Sequence, residues 1–403
     1  MKPLLWFLGM WLGFATLIVA ILSLVPLMRG ARRALSKSGD RTVGGTNHTP
    51  VPAIEEGGVH VAFDWSWKRV LVTGGASFIG STLVDALLER GALVRVVDDF
   101  SSGSRPNIEQ AVATGGVEVM EGNLRDPEIS ARAVRGMDVV FHLAADHGGR
   151  GYVDLHQYNC STNLGLDAAL FGAALEADVE TLVYASSGCI YPLHLQGDPE
   201  QTLYLTEEMA GPGYDPDGMY GLAKLAGELT LRALHEERGM RTASCRYFTV
   251  YGPRGVENHA VMAMIARAFL RKDPFEVWGT GEQIRNWTFV DDIIEGTILA
   301  AERIEDGTAV NLGTMERVRV IDAVRMVTDL AGYDPQIVLQ PDKPTGPLNR
   351  VADNAFARRL LGWEPRTSFS DGLKTTFEWY FSTKESEGVD VIFDHMLTGR
   401  GAR

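Results

Sequence analysis

Cysteine is scarce in this chain of 403 residues, with only Cys160, Cys189 and Cys245. Three scattered thiols cannot make a disulfide framework. Neither a Cys-x-x-Cys pair nor a His-x-x-x-His pair occurs, so no metal site is expected. Basic charge is also short: 38 Lys and Arg stand against 52 Asp and Glu, a net charge of −14. That leaves no broad cationic face to displace counterions from a nucleic acid, which excludes one class of partner. Internal repeats are absent too.

Long apolar runs are missing except for one. Residues 4–28 are almost continuously apolar, enough to cross a hydrocarbon core of ~30 Å as a helix. Arg29, Arg32, Arg33 and Lys37 come directly after it, and the positive-inside rule then puts the C-terminal side in the cytoplasm. The expectation is a single-pass transmembrane helix over residues 1–28 with the folded part on the cytoplasmic side. Residues 29–66, rich in Gly, Thr, Pro and Ser over most of their length, read as a flexible linker.

The stretch that organises the rest is Arg69-Val-Leu-Val-Thr-Gly-Gly-Ala-Ser-Phe-Ile-Gly80. Val70, Leu71 and Val72 make the short apolar run of a buried parallel strand. Gly74 and Gly75 break it, and residues 81–90 carry Leu83, Leu87 and Leu88 at helical spacing. In that context the turn Gly74, Gly75, Ser77, Phe78, Ile79, Gly80 is a cradle for a pyrophosphate, held by backbone N–H groups and the helix N-terminus. A second strand over residues 93–97 ends in Asp98. An acid about 20 residues past the glycines is placed to accept from ribose hydroxyls and would repel a 2′-phosphate, so NAD is expected and NADP disfavoured.

Strands over residues 117–120, 139–142, 181–185 and 241–247 alternate with helices over 155–177 and 220–237. That alternation predicts an α/β fold, a doubly wound parallel sheet of the Rossmann type over residues 67–250. A looser pattern over 251–385 predicts a smaller C-terminal α/β substrate lobe, with pieces at 260–271, 275–278, 291–303, 310–312, 320–330 and 370–381. Residues 386–403 read as a tail.

Tyr220 and Lys224 lie four apart on a predicted helix, hence on one face. A neighbouring ammonium and a positive nicotinamide would favour the phenolate and move tyrosine towards use as a base. Ser187 and Cys189 sit at the end of the fifth strand, where such sheets meet their ligands.

The glycine stretch resembles the extended short-chain dehydrogenase/reductase family, whose fingerprint is Thr-Gly-x-x-Gly-x-x-Gly. Thr73, Gly74 and Gly80 match, and Ser77 replaces the middle glycine. Within it, residues 68–381 are similar to the NAD-dependent sugar-nucleotide epimerases and dehydratases. Three stretches, residues 144–151, 187–192 and 275–291, look like the GDP-mannose 3,5-epimerase branch. The resemblance implies Tyr220 and Lys224 as the base pair, Ser187 as the partner of the reacting sugar hydroxyl, and Cys189 as an acid/base at carbon. It implies cofactor contacts from Asn123, Leu124, Leu143, Ala144 and Ala145 as well. For a nucleotide-sugar substrate it implies Gly148, Arg150, Ser187, Arg285 and Arg350, with Arg285 and Arg350 gripping the diphosphate. His147 and Arg150 are additions for which an acidic sugar is one reason.

Related dehydratases carry glutamate where Cys189 stands, so elimination of water is not expected. Three positions depart from the pattern. No lysine comes shortly after Tyr251-Gly252-Pro253, where Asn258 and His259 occur, and His259 is the substitute at hand. Thr249 stands for a family asparagine and Asn123 for an aspartate. A homodimer through helices 155–177 and 220–237 is a further family expectation. The reading is a nucleotide-sugar epimerase working through a transient 4-keto sugar. A UDP-sugar 4-epimerase, a net sugar-nucleotide reductase and a non-catalytic dinucleotide-binding protein are the alternatives.

Overall fold

The computed structural model describes residues 63–390. The expected anchor, most of the linker and the end of the tail lie outside them. Among the described residues no helix is long and apolar enough to cross a membrane.

Seven strands form one parallel sheet: β1 (Arg69–Thr73), β2 (Leu93–Asp98), β3 (Val117–Glu121), β4 (Val139–His142), β5 (Thr181–Ser187), β6 (Arg241–Tyr247) and β7 (Asp306–Leu312). Their spatial order is β7-β6-β5-β4-β1-β2-β3. The order reverses between β1 and β4, so a crevice opens beyond their carboxyl ends. Thr73 pairs in register with His142 across that point.

The helices used below are α1 (Phe78–Glu89), α2 (Asn163–Glu176), α3 (Gly218–Arg238), α4 (Ala260–Phe269), α5 (Val290–Arg303), α6 (Val320–Ala331) and α7 (Phe369–Thr383). Alternation along β1 decides which side each covers. Val70 and Val72 join one core with α1 and α5, and Leu71 joins the opposite core with α2 and Leu231 of α3. The sheet is thus wound on both faces, as the periodicity predicts. A third core belongs to the smaller lobe, where α4, α6 and α7 enclose Phe275, Val277, Trp287 and Phe289. There Ile284–Arg285 is flanked by Val318–Arg319 and Asn349–Arg350, which sets Arg350 beside Arg285.

Two expectations are corrected. The strand expected in the smaller lobe at 310–312 is β7, and it pairs with β6 in the large sheet, while α5 packs on that sheet. The chain therefore leaves the first lobe at Val250–Tyr251 and comes back. The single helix expected over 155–177 is broken into Arg150–Leu155, Gln157–Ser161 and α2. The break sits where Asn163 turns inward: its Oδ1 accepts from Asp146 N–H at 2.6 Å and its Nδ2 donates to Asp146 C=O at 3.0 Å.

Candidate active site

The crevice holds two adjoining cavities. The smaller, about 40 Å³, is lined by Gly74, Ser77, Asp98, Asp99, Asn123, Leu124, Leu143, Ala144 and Ala145, among others. The larger, about 390 Å³, takes in Ser77, Phe78, Ile79, Leu143, Ala145, Gly148, Arg150, Ser187, Cys189, Tyr220, Lys224, Arg285 and Arg350. Ser77, Ser102, Leu143, Ala145 and His147 border both. The residues assigned to cofactor, catalysis and substrate from the sequence thus meet around one continuous hollow.

Two glycines in the cradle do not face it. Gly80 lines neither cavity; a Cβ there would stand 2.1 Å from Gly74 O, so glycine is what lets α1 begin against the turn. Gly75 likewise packs on Val96, at 2.8 Å from an added Cβ. Gly74 has φ +67 and presses on Ala144. Ser77, in place of a glycine, has an ordinary φ of −85, and its hydroxyl turns back to Gly74 C=O at 2.6 Å, so no glycine is needed there. Asp98 is buried, and its carboxylate accepts from Ala76 N–H (3.0 Å) and Phe100 N–H (2.8 Å). It therefore shapes the loop as well as lining the smaller cavity. Asp99, which sequence reasoning missed, lines that cavity and accepts from Asn123 Nδ2 at 3.3 Å. A tight glycine turn, a helix N-terminus, and acids at the end of β2 fit a dinucleotide.

At the end of β5, Ser187 Oγ accepts from Cys189 N–H at 3.1 Å, and both Ser187 and Tyr220 line the larger cavity. Lys224 is buried with its Nζ 5.9 Å from the Tyr220 ring centroid. One expectation is corrected here. Burial pushes the Tyr220 phenol up from its ordinary value, with Cys189 and Cys160 adding to the rise and Ser187 opposing it. Desolvation outweighs the downward pull expected of Lys224 in the protein alone.

Opposite stands a cluster that the sequence showed only in part. Asp217, three residues before Tyr220, accepts from Arg150 at 2.7 Å and from Arg350 at 3.0 Å. Arg350 also donates to Cys189 Sγ at 3.1 Å and to Gln196 at 2.8 Å. Burial works to raise the Asp217 carboxyl, but Arg350 and Arg150 override it and hold it below the usual range. Arg285 is pushed down to about 9 by burial, with Arg350 and Arg150 adding to the fall. Three guanidinium groups against the carboxylates of Asp217 and Asp154 still leave an excess of positive charge in an acidic protein, which suits a diphosphate. Arg150 is further tied to Asp154 at 2.9 Å, so its charge is already answered by two carboxylates.

Beyond the arginines the hollow ends among Phe275, Val277, Trp278, Trp287 and Val324, an apolar space of the kind a base occupies. His259, at the start of α4, lines the same hollow 5.9 Å ring to ring from His147, and burial pushes it down to about 4. Thr249 adopts φ +35, a left-handed conformation that a β-branched residue rarely takes and asparagine tolerates.

Residues 70–313 match the NAD dependent epimerase/dehydratase family. GDP-mannose 3,5-epimerase 1 of Oryza sativa subsp. japonica is 30% identical over 331 residues, 80% of this chain and 85% of that protein. The structure of UDP-glucose 4-epimerase from Thermotoga maritima with UDP-glucose superposes with a TM-score of 0.69 at 29% identity, covering 78% of this chain and 99% of the other. UDP-glucuronic acid 4-epimerase from Bacillus cereus, in complex with UDP-glucuronic acid and NAD, gives 0.71 at 27% identity, covering 78% and 100%.

Proposed function

This chain belongs to the NAD dependent epimerase/dehydratase family, and from that premise we propose that it epimerises a nucleotide sugar through a transient 4-keto intermediate, in the manner of a GDP-mannose 3,5-epimerase. Bound NAD supplies a two-electron acceptor that returns the hydride, and its positive ring favours a nearby phenolate. The protein supplies the rest. Tyr220, which shares the hollow with Ser187, takes the hydroxyl proton at C4 and later restores it. The ketone so formed acidifies the neighbouring carbon–hydrogen bonds, and Cys189 exchanges a proton there. The observation that carries this reading is the contact of Cys189 Sγ with Arg350 at 3.1 Å, in the hollow that also holds Tyr220 and Ser187.

One observation favours a UDP-sugar 4-epimerase instead. Tyr220, Lys224 and Ser187 suffice for inversion at C4, and no lysine comes shortly after Tyr251-Gly252-Pro253. Turnover of GDP-mannose and of UDP-glucose, each in deuterated water, separates the two. Label at C3 or C5, abolished by Cys189→Ser, is the expected result. Inversion at C4 without label, unaffected by Cys189→Ser, would replace the first reading with the second.

Two coarser features belong to the same proposal. The apolar residues 4–28 anchor the enzyme with its catalytic part in the cytoplasm. It remains in the membrane fraction after alkaline carbonate if so, and washes free if not. The unit pairs through α2 and α3, which expose Leu164, Leu222 and Leu229 and carry Gly165 and Gly172 on open surface. Sedimentation of residues 63–403 at twice the monomer mass is expected, and monomer mass refutes it.

A further inference from the structure

Beneath the hollow runs a chain of buried polar groups that touches neither cavity. The Thr73 hydroxyl, at the end of β1, accepts from Leu143 N–H (3.1 Å) and Ala144 N–H (3.0 Å). These two donors occupy both of its lone pairs. Its own proton therefore goes to His142 Nδ1, 2.8 Å away on β4. His142 must then carry its proton on Nε2, which donates to Asp167 Oδ1 at 3.0 Å. Tyr184 of β5 donates to the other oxygen, Oδ2, at 2.7 Å. None of these four side chains belongs to a residue more than 3% exposed. Burial also holds the imidazole below its ordinary value, in keeping with a neutral ring.

The tautomer so fixed leaves Asp167 as an ionised carboxylate with two neutral donors. An unpaired charge in such a place is costly. Across the Tyr184 ring stands Lys224, its Nζ 4.5 Å from the ring centroid. The separation is set by packing: Gly227, less than one turn along α3, has room only for hydrogen, since a Cβ would come within 2.6 Å of the Tyr184 ring. The groups that act on Lys224 are Asp167 from α2, Cys189 from the turn after β5, and Glu228 on its own helix, with Tyr184, Tyr220 and neutral His142 around it. Glu228 is already matched by Arg246 at 2.8 Å, and Cys189 faces Arg350. Among these groups Asp167 is the formal negative charge that no arginine answers.

We propose that Asp167, oriented by His142 and Tyr184, is the buried counter-charge that keeps Lys224 ionised beside the reacting tyrosine. It is a positioning residue: it acts through Lys224 and touches neither sugar nor cofactor. The proposal rests on the reading of Tyr220 and Lys224 as the base pair. Because burial already works to discharge Lys224 and Asp167 opposes it, neutralising Asp167 makes the ammonium easier to lose. The loss of turnover at high pH then begins at lower pH.

Two measurements decide it. The first is the pH profile of turnover of Asp167→Asn, with UDP-glucose and GDP-mannose as probes. Its alkaline limb is expected to move down by about one pH unit, the size of shift one neighbouring charge causes. Tyr184→Phe, which keeps the carboxylate, leaves that limb in place, whereas a merely structural network would be damaged alike by both. A limb in Asp167→Asn that overlays the parent overturns the proposal. The second needs no substrate: a double-mutant cycle of Asp167→Asn with Lys224→Met on thermal unfolding at neutral pH. Asp167→Asn is expected to destabilise the parent but not the Lys224→Met background; additive effects overturn the proposal. If neither sugar is turned over, the proposed substrates fail, and the cycle still judges the counter-charge.

Discussion

The two walls of the hollow are made of different material. The cofactor wall is mostly backbone: the turn at Gly74, the first N–H groups of α1, and a loop that Asp98 holds from inside. The substrate wall is mostly long charged side chains, with Arg150 and Arg350 meeting on Asp217 and Arg285 beside Arg350. A backbone cradle is dictated by residues adjacent in sequence. A guanidinium cluster depends on partners such as Arg350 and Asp217, 133 residues apart. At Gly75 and Gly80 the first wall has no room for an added atom, whereas the second depends on its charges.

The largest effect should come where the walls meet. Tyr220→Phe removes the proton acceptor and is expected to lower kcat about a thousandfold, with NAD content unchanged. Product stereochemistry measured over time checks it, and near-normal turnover would move the chemistry elsewhere. Gly80→Ala attacks the cofactor wall through shape. Its Cβ meets a backbone oxygen that cannot yield, so a loss of about 3 kcal/mol in stability is expected, together with loss of retained NAD; melting curves and cofactor content read both.

Arg350→Ala attacks the other wall through charge. Losing charged hydrogen bonds of about 2 kcal/mol in total should weaken UDP and GDP binding at least tenfold by calorimetry, while NAD content stays as before. Equal damage to NAD retention would erase the distinction between the walls.

The smallest effect is one of pH. Burial lowers His259 from 6.5 to about 4, so between those values the unfolded chain binds a proton that the folded chain refuses. Stability therefore falls as pH drops through that window. His259→Gln should flatten the fall in melting temperature between pH 6.5 and about 4, and an unchanged slope would show that other groups govern it.

Much of the cofactor wall is legible in the sequence. β4 and β6 run over the residues that alternation marks, and the turn at Gly74 opens a helix as its spacing requires. Other features are hidden for definable reasons. β7 reads as a short apolar strand in either lobe, because period-two burial does not name the sheet it joins. The helix over 155–177 breaks for Asn163, whose partner Asp146 lies 17 residues back. Asp217 looks like one more acid in an acidic loop, although its place three residues before Tyr220, next to a glycine at the start of α3, is a usable signal. The direction of the Tyr220 shift escapes the sequence because a helical face shows which charge is near and not how much water has left.

Sequence alone determined the alternation of strands and helices, the cradle, the family and its cofactor, since each rests on the order of neighbouring residues and on a backbone that obeys it. Tertiary structure alone decided that α5 and β7 return to the first sheet, that Arg150 and Arg350 converge on Asp217 beside Arg285, and that Asp167 and Lys224 meet the same tyrosine, one at its hydroxyl and the other over its ring. Those outcomes depend on distances between groups far apart in the chain, and on how completely water is removed between them.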